Sequence, residues 1–139
     1  MLTKVKQIST FIENKEGHLA GFTDILAKNN INIRALCVYD SIEYGILRLI
    51  VDEPYEAAEL FREAGHVARM IDVMVVEPLD APGTMNKIFH LLADNGINIE
   101  YVYPYAVKGA PYMVIMETSD QDKAMDLIAK SGFAVTDKA

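Results

Sequence analysis

Cysteine occurs once in these 139 residues, at Cys37, so no intrachain disulfide can form and the chain suits a reducing compartment. Apolar runs are only a few residues long, far short of the roughly 20 that a membrane-spanning helix needs, so no membrane partner is expected. The opening residues, M-L-T-K-V-K-Q-I-S-T, lack the apolar core and cleavage pattern of a secretory leader, and the expected location is cytoplasmic. Lys and Arg number 13 against 20 Asp and Glu, a formal net charge of −7, with no basic stripe to offset it. Such a surface repels a phosphate backbone, so nucleic acid is not an expected partner. His18, His66 and His90 are scattered, without ligand spacing or a cysteine cluster, so neither a metal nor a cofactor is expected. A nucleophile–base set and a phosphate-loop motif are also missing, which argues against catalysis.

What is present is a globular composition, 51% hydrophobic, and a repeat. Asp80 to Ile99 reads D-A-P-G-T-M-N-K-I-F-H-L-L-A-D-N-G-I-N-I, a turn, a helix and the start of a strand. Met85, Ile88, Phe89 and Leu92 fall at helical spacing, and Asn95-Gly96 supplies a C-terminal stop. Asn14 to Ile33, 66 residues earlier, reads N-K-E-G-H-L-A-G-F-T-D-I-L-A-K-N-N-I-N-I. Gly17 matches Gly83, Leu26-Ala27 matches Leu92-Ala93, and Ile31-Asn32-Ile33 matches Ile97-Asn98-Ile99. The chain is a duplication. It divides into units 1–70 and 71–139, each near the smallest size at which one core suffices.

In the first unit, alternation and turn residues predict strand 4–12, helix 18–29, strand 32–40, turn 41–45 and strand 46–52. A helix from Pro54 to its stop at Gly65 and a short strand 67–70 complete it. The second unit predicts strand 71–78, helix 82–95, strand 98–107, turn 108–110, strand 111–118, helix 120–131 and strand 133–137. Ser119 with Asp122 resembles a capping box opening the last helix. Each unit is thus β-α-β-β-α-β, an α+β ferredoxin-like arrangement with an antiparallel sheet. Right-handed crossovers centre the first and third strands, and Pro104, which cannot donate to a ladder, falls on an edge strand as it should. No flexible linker separates the units.

Two loop-to-helix junctions are the candidate sites. A helix N-terminus offers unpaired N–H groups and the positive end of a dipole to a carboxylate. Gly17 and Gly83 allow close approach to the backbone, while Asn14 and Asp80 offer oxygens to an ammonium. Both charges of an α-amino acid could be held there. The same residues also suffice for a plain turn and helix cap.

The pattern Asn14-x-x-Gly17-x-Leu19, a helix, then Asn29-x-Ile31-Asn32-Ile33, repeated from Asp80, resembles the ACT domain in tandem. The resemblance covers about residues 4–76 and 71–137. It implies ferredoxin-like sheets with helices on one face and regulatory binding of small ligands, most often amino acids, at interfaces between ACT units. Carried over, it points to Asn14, Gly17, His18, Leu19 and Ile33 in the first unit. In the second it points to Asp80, Gly83, Thr84, Met85 and Ile99. Asp for Asn, and Ala-Pro for Lys-Glu, make the second junction differ from the first.

Cys37 reads as a buried small hydrophobe within a strand, and Arg48 as an interface ion-pair partner. Tyr101, Tyr103 and Tyr105 alternate on one face of an edge strand. With the apolar outer face of strand 71–76, they predict more bare apolar surface than a monomer carries, hence a homodimer. The expected function is non-catalytic: an amino-acid-binding regulator with an enzyme as its possible regulated partner. Alternatives are a ligand-free assembly subunit of a biosynthetic enzyme and, against the missing catalytic set, an enzyme on a ferredoxin-like scaffold.

Overall fold

Alternation in the first strand, β1 (Leu2–Glu13), turns Ile8, Thr10 and Ile12 inward, none more than 6% exposed. The computed structural model describes residues 1–40 and 44–136. After β1 come α1 (His18–Lys28), β2 (Ile33–Asp40), β3 (Tyr44–Val51) and α2 (Pro54–Glu63). β4 (Ala68–Pro78), α3 (Thr84–Asp94), β5 (Ile99–Tyr105), β6 (Met113–Thr118), α4 (Gln121–Ser131) and β7 (Ala134–Val135) follow. The chain forms two ferredoxin-like α+β units. One is Lys6–Asp72; the other is Val73 onward together with Met1–Val5.

In the first unit β3 pairs antiparallel with both β1 and β2, and β1 lies next to β4, so β2 is the terminal strand. Thr10 stands opposite Leu47 and Leu47 opposite Val38; Ile12 stands opposite Gly45. Directly opposed residues share a face. That face carries the core, where Ile8, Ile12, Leu47 and Leu49 meet Phe22 and Leu26 of α1 and Phe61 of α2. Phe22 and Phe61 pack edge to face at 5.4 Å.

The second unit repeats this with β6 between β4 and β5, so Pro104 does lie on an edge strand. Met74, Val76, Val114 and Met116 face Ile88 and Leu92 of α3 and Ile128 of α4. Leu2 packs against this second core, and the N-terminal ammonium pairs with Glu77 at 2.9 Å. Residues 1–5 therefore group with the second unit, although in sequence they precede the first. Both opening helices end alike: Asn29 and Asn95 each donate a side-chain N–H, at 2.8 Å, to the carbonyl four residues back. The next residue is left-handed, Asn30 at φ 56° and Gly96 at φ 72°. No helix among the described residues is long and apolar enough to cross a membrane.

Several expectations need correction. The expected strands 67–70 and 71–78 are one strand, Ala68–Pro78, because no turn residue interrupts them. The helix expected from Pro82 starts at Thr84, since Gly83 at φ 85° cannot be helical. The cap of α4 is Asp120, which accepts from the Lys123 N–H at 3.1 Å; Ser119 instead accepts from the Asn98 N–H. Val73 and Val75 are fully covered and Tyr103 is 5% exposed, so these three residues are not part of a bare apolar face. Cys37 is half-exposed, standing opposite Arg48 on β3. Strand 133–137 is reduced to Ala134–Val135, and of turn 41–45 residues 41–43 lie outside the described residues.

Thr10 is 3% exposed and its hydroxyl has no hydrogen-bond partner among the described residues. A buried, unpaired hydroxyl costs about 1–3 kcal/mol of desolvation. Thr10→Val is expected to raise stability by about 1 kcal/mol in chemical denaturation; a loss of stability would show that the hydroxyl is paired.

Candidate functional site

The chain leaves β1 and enters α1 within four residues. The Lys15 N–H donates to the Glu13 carbonyl at 2.9 Å, and the His18 N–H to the Lys15 carbonyl at 3.3 Å. Gly17, at φ 82°, makes the turn into the helix. Gly17, the N-cap of α1, has no side chain with which to cap the helix. The second junction repeats this backbone. The Ala81 N–H donates to Leu79, the Thr84 N–H to Ala81, and Gly83 takes the same left-handed turn. Thr84 itself is 8% exposed, and the N-cap Gly83 has no side chain with which to cap α3.

At the first junction lies a cavity of about 280 Å³, at the small end of ligand pockets and sized for a metabolite. Ile12, Leu19 and Val38 form apolar walls, Gly45 adds open backbone, and Glu13, Asn14 and Lys15 supply the polar side. Glu13 and Lys15 form an ion pair at 3.2 Å. The hydrogen bond from Lys15, reinforced by the charges of Lys15 and His18, holds the Glu13 carboxyl below its ordinary pKa. Gly45 has a steric reason to be glycine: an added Cβ would sit 2.7 Å from the Tyr39 carbonyl oxygen and 3.3 Å from Ile12 Cγ2.

Of the first-unit candidates, Asn14 and Leu19 line this cavity. Gly17 and His18 do not. They border a separate depression of about 240 Å³ with Gly21, Phe22 and His66, where the His66 ring lies 4.2 Å from that of Phe22. Ile33 is half-buried against the first core, and Ile99 and Met85 against the second. Asp80 is exposed on its loop. Val38 and Gly45 were not among the sequence candidates. The available signal was a glycine at the edge of a strand pattern, which marks close backbone approach.

The second junction does not repeat the walls. Val114 stands opposite Pro104 as Leu47 stands opposite Val38. Pro104 is therefore the counterpart of Val38, and Tyr112, two residues before Val114, the counterpart of Gly45. Leu79 and Asp80 replace Glu13 and Asn14. Among the described residues no group of three or more His, Cys, Asp or Glu is placed to hold a metal ion.

The family description ACT domain pair matches residues 3–138. Among solved structures, a protein of Bacteroides thetaiotaomicron is 32% identical over 96% of this chain and 92% of its own, with a TM-score of 0.84. The regulatory subunit of aspartate kinase from Thermus thermophilus, in ligand-free form, is 19% identical over 94% and 96%, with a TM-score of 0.64. That of Thermus flavus is 17% identical over 93% and 95%, with a TM-score of 0.60. The two kinase subunits share the fold. No curated protein matches the sequence.

Space around Gly17 and Gly83 is open, with nothing within 4 Å of an added Cβ, so a side chain there meets backbone strain and no clash. Gly17→Ala and Gly83→Ala are each expected to lower stability by about 1–2 kcal/mol, the cost of a left-handed L-residue. Equal stability of parent and variants in denaturant titration would contradict the left-handed turns.

Proposed function

The chain belongs to the ACT family as a domain pair, and on that premise we propose that it is a non-catalytic regulatory protein binding an α-amino acid at the first junction. The observation carrying this reading is the cavity itself, with apolar walls on one side and a charged loop beside a helix start on the other. The carboxylate would face the start of α1, and the ammonium would face the side-chain oxygen of Asn14. Gly17 and His18 contribute through the backbone of that helix start. In the second unit Gly83, Thr84 and Asp80 offer the same backbone with different walls, so its affinity should differ.

A homodimer belongs to this reading, on new grounds. β2 ends the strand order and keeps an open edge, the kind of template that a second chain pairs with. Leu36 and Val38 on it are 39% and 43% exposed, and Phe11 and Tyr39, across the sheet, are 58% and 61% exposed. A second copy laid on this edge would cover the cavity mouth beside Val38 and place the ligand between ACT units of two chains. Regulation is then linkage: a ligand that favours one arrangement is favoured in return by whatever enzyme reads that arrangement. The single cysteine suits action in the cytoplasm.

Thermal-shift measurements against the common amino acids test the reading. An amino acid at 100 times its dissociation constant adds about 2.7 kcal/mol of native stability, and at least one is expected to raise the melting temperature clearly. If none does at millimolar concentration, the ligand-free assembly subunit becomes the better account.

A further inference from the structure

We propose that the first-junction cavity selects amino acids with an aliphatic side chain and that Leu19 and Val38 set the selection; the proposal rests on the amino-acid-binding reading above. The walls beyond the loop are Ile12, Leu19 and Val38, three aliphatic side chains. Ile12 is 6% exposed, whereas Leu19 and Val38 leave 38% and 43% of their surface in water. An alkyl group between those two removes apolar surface from water on both sides. A charged side chain in the same place loses hydration and needs a counter-charge. The charges lining the cavity are Glu13 and Lys15, and they neutralise each other at 3.2 Å.

Gly45 keeps this space open. Its strand position faces Ile12, and the Tyr39 carbonyl lies too close for any Cβ, so no side chain grows into the cavity from β3. The second unit carries Tyr112 and Pro104 at the matching places, so the aliphatic cleft is a feature of the first junction. Selection therefore depends on residues of β2, β3 and the first turn of α1, and not on the glycines that the duplication shares.

The test is a binding panel on the full-length chain by titration calorimetry, with leucine, isoleucine, valine, lysine and aspartate. Leucine, isoleucine or valine is expected to bind tighter than lysine and aspartate by about tenfold or more, since an alkyl group takes apolar surface of Leu19 and Val38 out of water and a charged side chain does not. Val38→Glu, on an exposed edge-strand position, is expected to weaken the aliphatic ligand at least about tenfold and to improve lysine. Leu19→Lys, in the first turn of α1, is expected to weaken the aliphatic ligand likewise and to improve aspartate, and replaces Val38→Glu if that variant does not melt cooperatively. Tyr112→Ala should leave the panel unchanged. Lysine or aspartate binding as tightly as the aliphatic amino acids overturns the selection while leaving amino-acid binding intact. An aliphatic response untouched by either cavity variant, or lost in Tyr112→Ala, overturns the assigned location. No binding by any member overturns this proposal, and a blank thermal screen of all the common amino acids overturns the parent reading as well.

Discussion

One backbone constraint organises both halves of the molecule: a strand must become a helix within four or five residues, and the residue before the helix must be left-handed. Gly17 and Gly83 meet it with φ of 82° and 85°. A residue with a Cβ pays about 1–2 kcal/mol for that conformation, which is why glycine stands at both places. The turn folds the first amide of each helix back onto the loop before it, His18 N–H onto the Lys15 carbonyl and Thr84 N–H onto the Ala81 carbonyl. In the first unit it also brings Leu19 over the end of the sheet, opposite Ile12 and Val38. The cavity is a by-product of the turn, and its chemistry is decided by what the neighbouring strands present.

Much of this was legible because it is local. Helical spacing of Phe22, Leu26, Ile88 and Leu92 marks the buried faces of α1 and α3, and all four are at most 3% exposed. The Asn95-Gly96 stop ends α3 with Gly96 as its left-handed residue, while Asn95 acts through a side-chain bond to the Leu91 carbonyl. Pro104 on a terminal strand follows from its missing N–H. Errors arose where two residues were equally suited to a local task or where the answer was non-local. Ser119 and Asp120 can both cap a helix, and only the fold shows Ser119 engaged with Asn98 instead. Val38 and Gly45 join the cavity through strand pairing, whose register no short window of sequence contains. The covering of Val73 and Val75 is likewise a property of the folded chain.

The duplication conserves backbone and diversifies surface. Turns, left-handed glycines and asparagine stops recur, whereas Glu13, Val38 and Gly45 give way to Leu79, Pro104 and Tyr112. Two sites built on one scaffold can then respond differently, or one can bind while its twin serves assembly. For a regulator this is a useful division, because coupling requires differential contact with the ligand in two arrangements and not two equal sites.

Titrating isotope-labelled protein with leucine and following backbone amides by NMR addresses the central claim, that the ligand sits at the first junction. The account predicts shifts that appear first at Ile12, Asn14, Leu19, Val38 and Gly45, and at Leu79, Met85 and Tyr112 only at higher leucine. Shifts confined to the second set, or no shifts at saturating leucine, would contradict it.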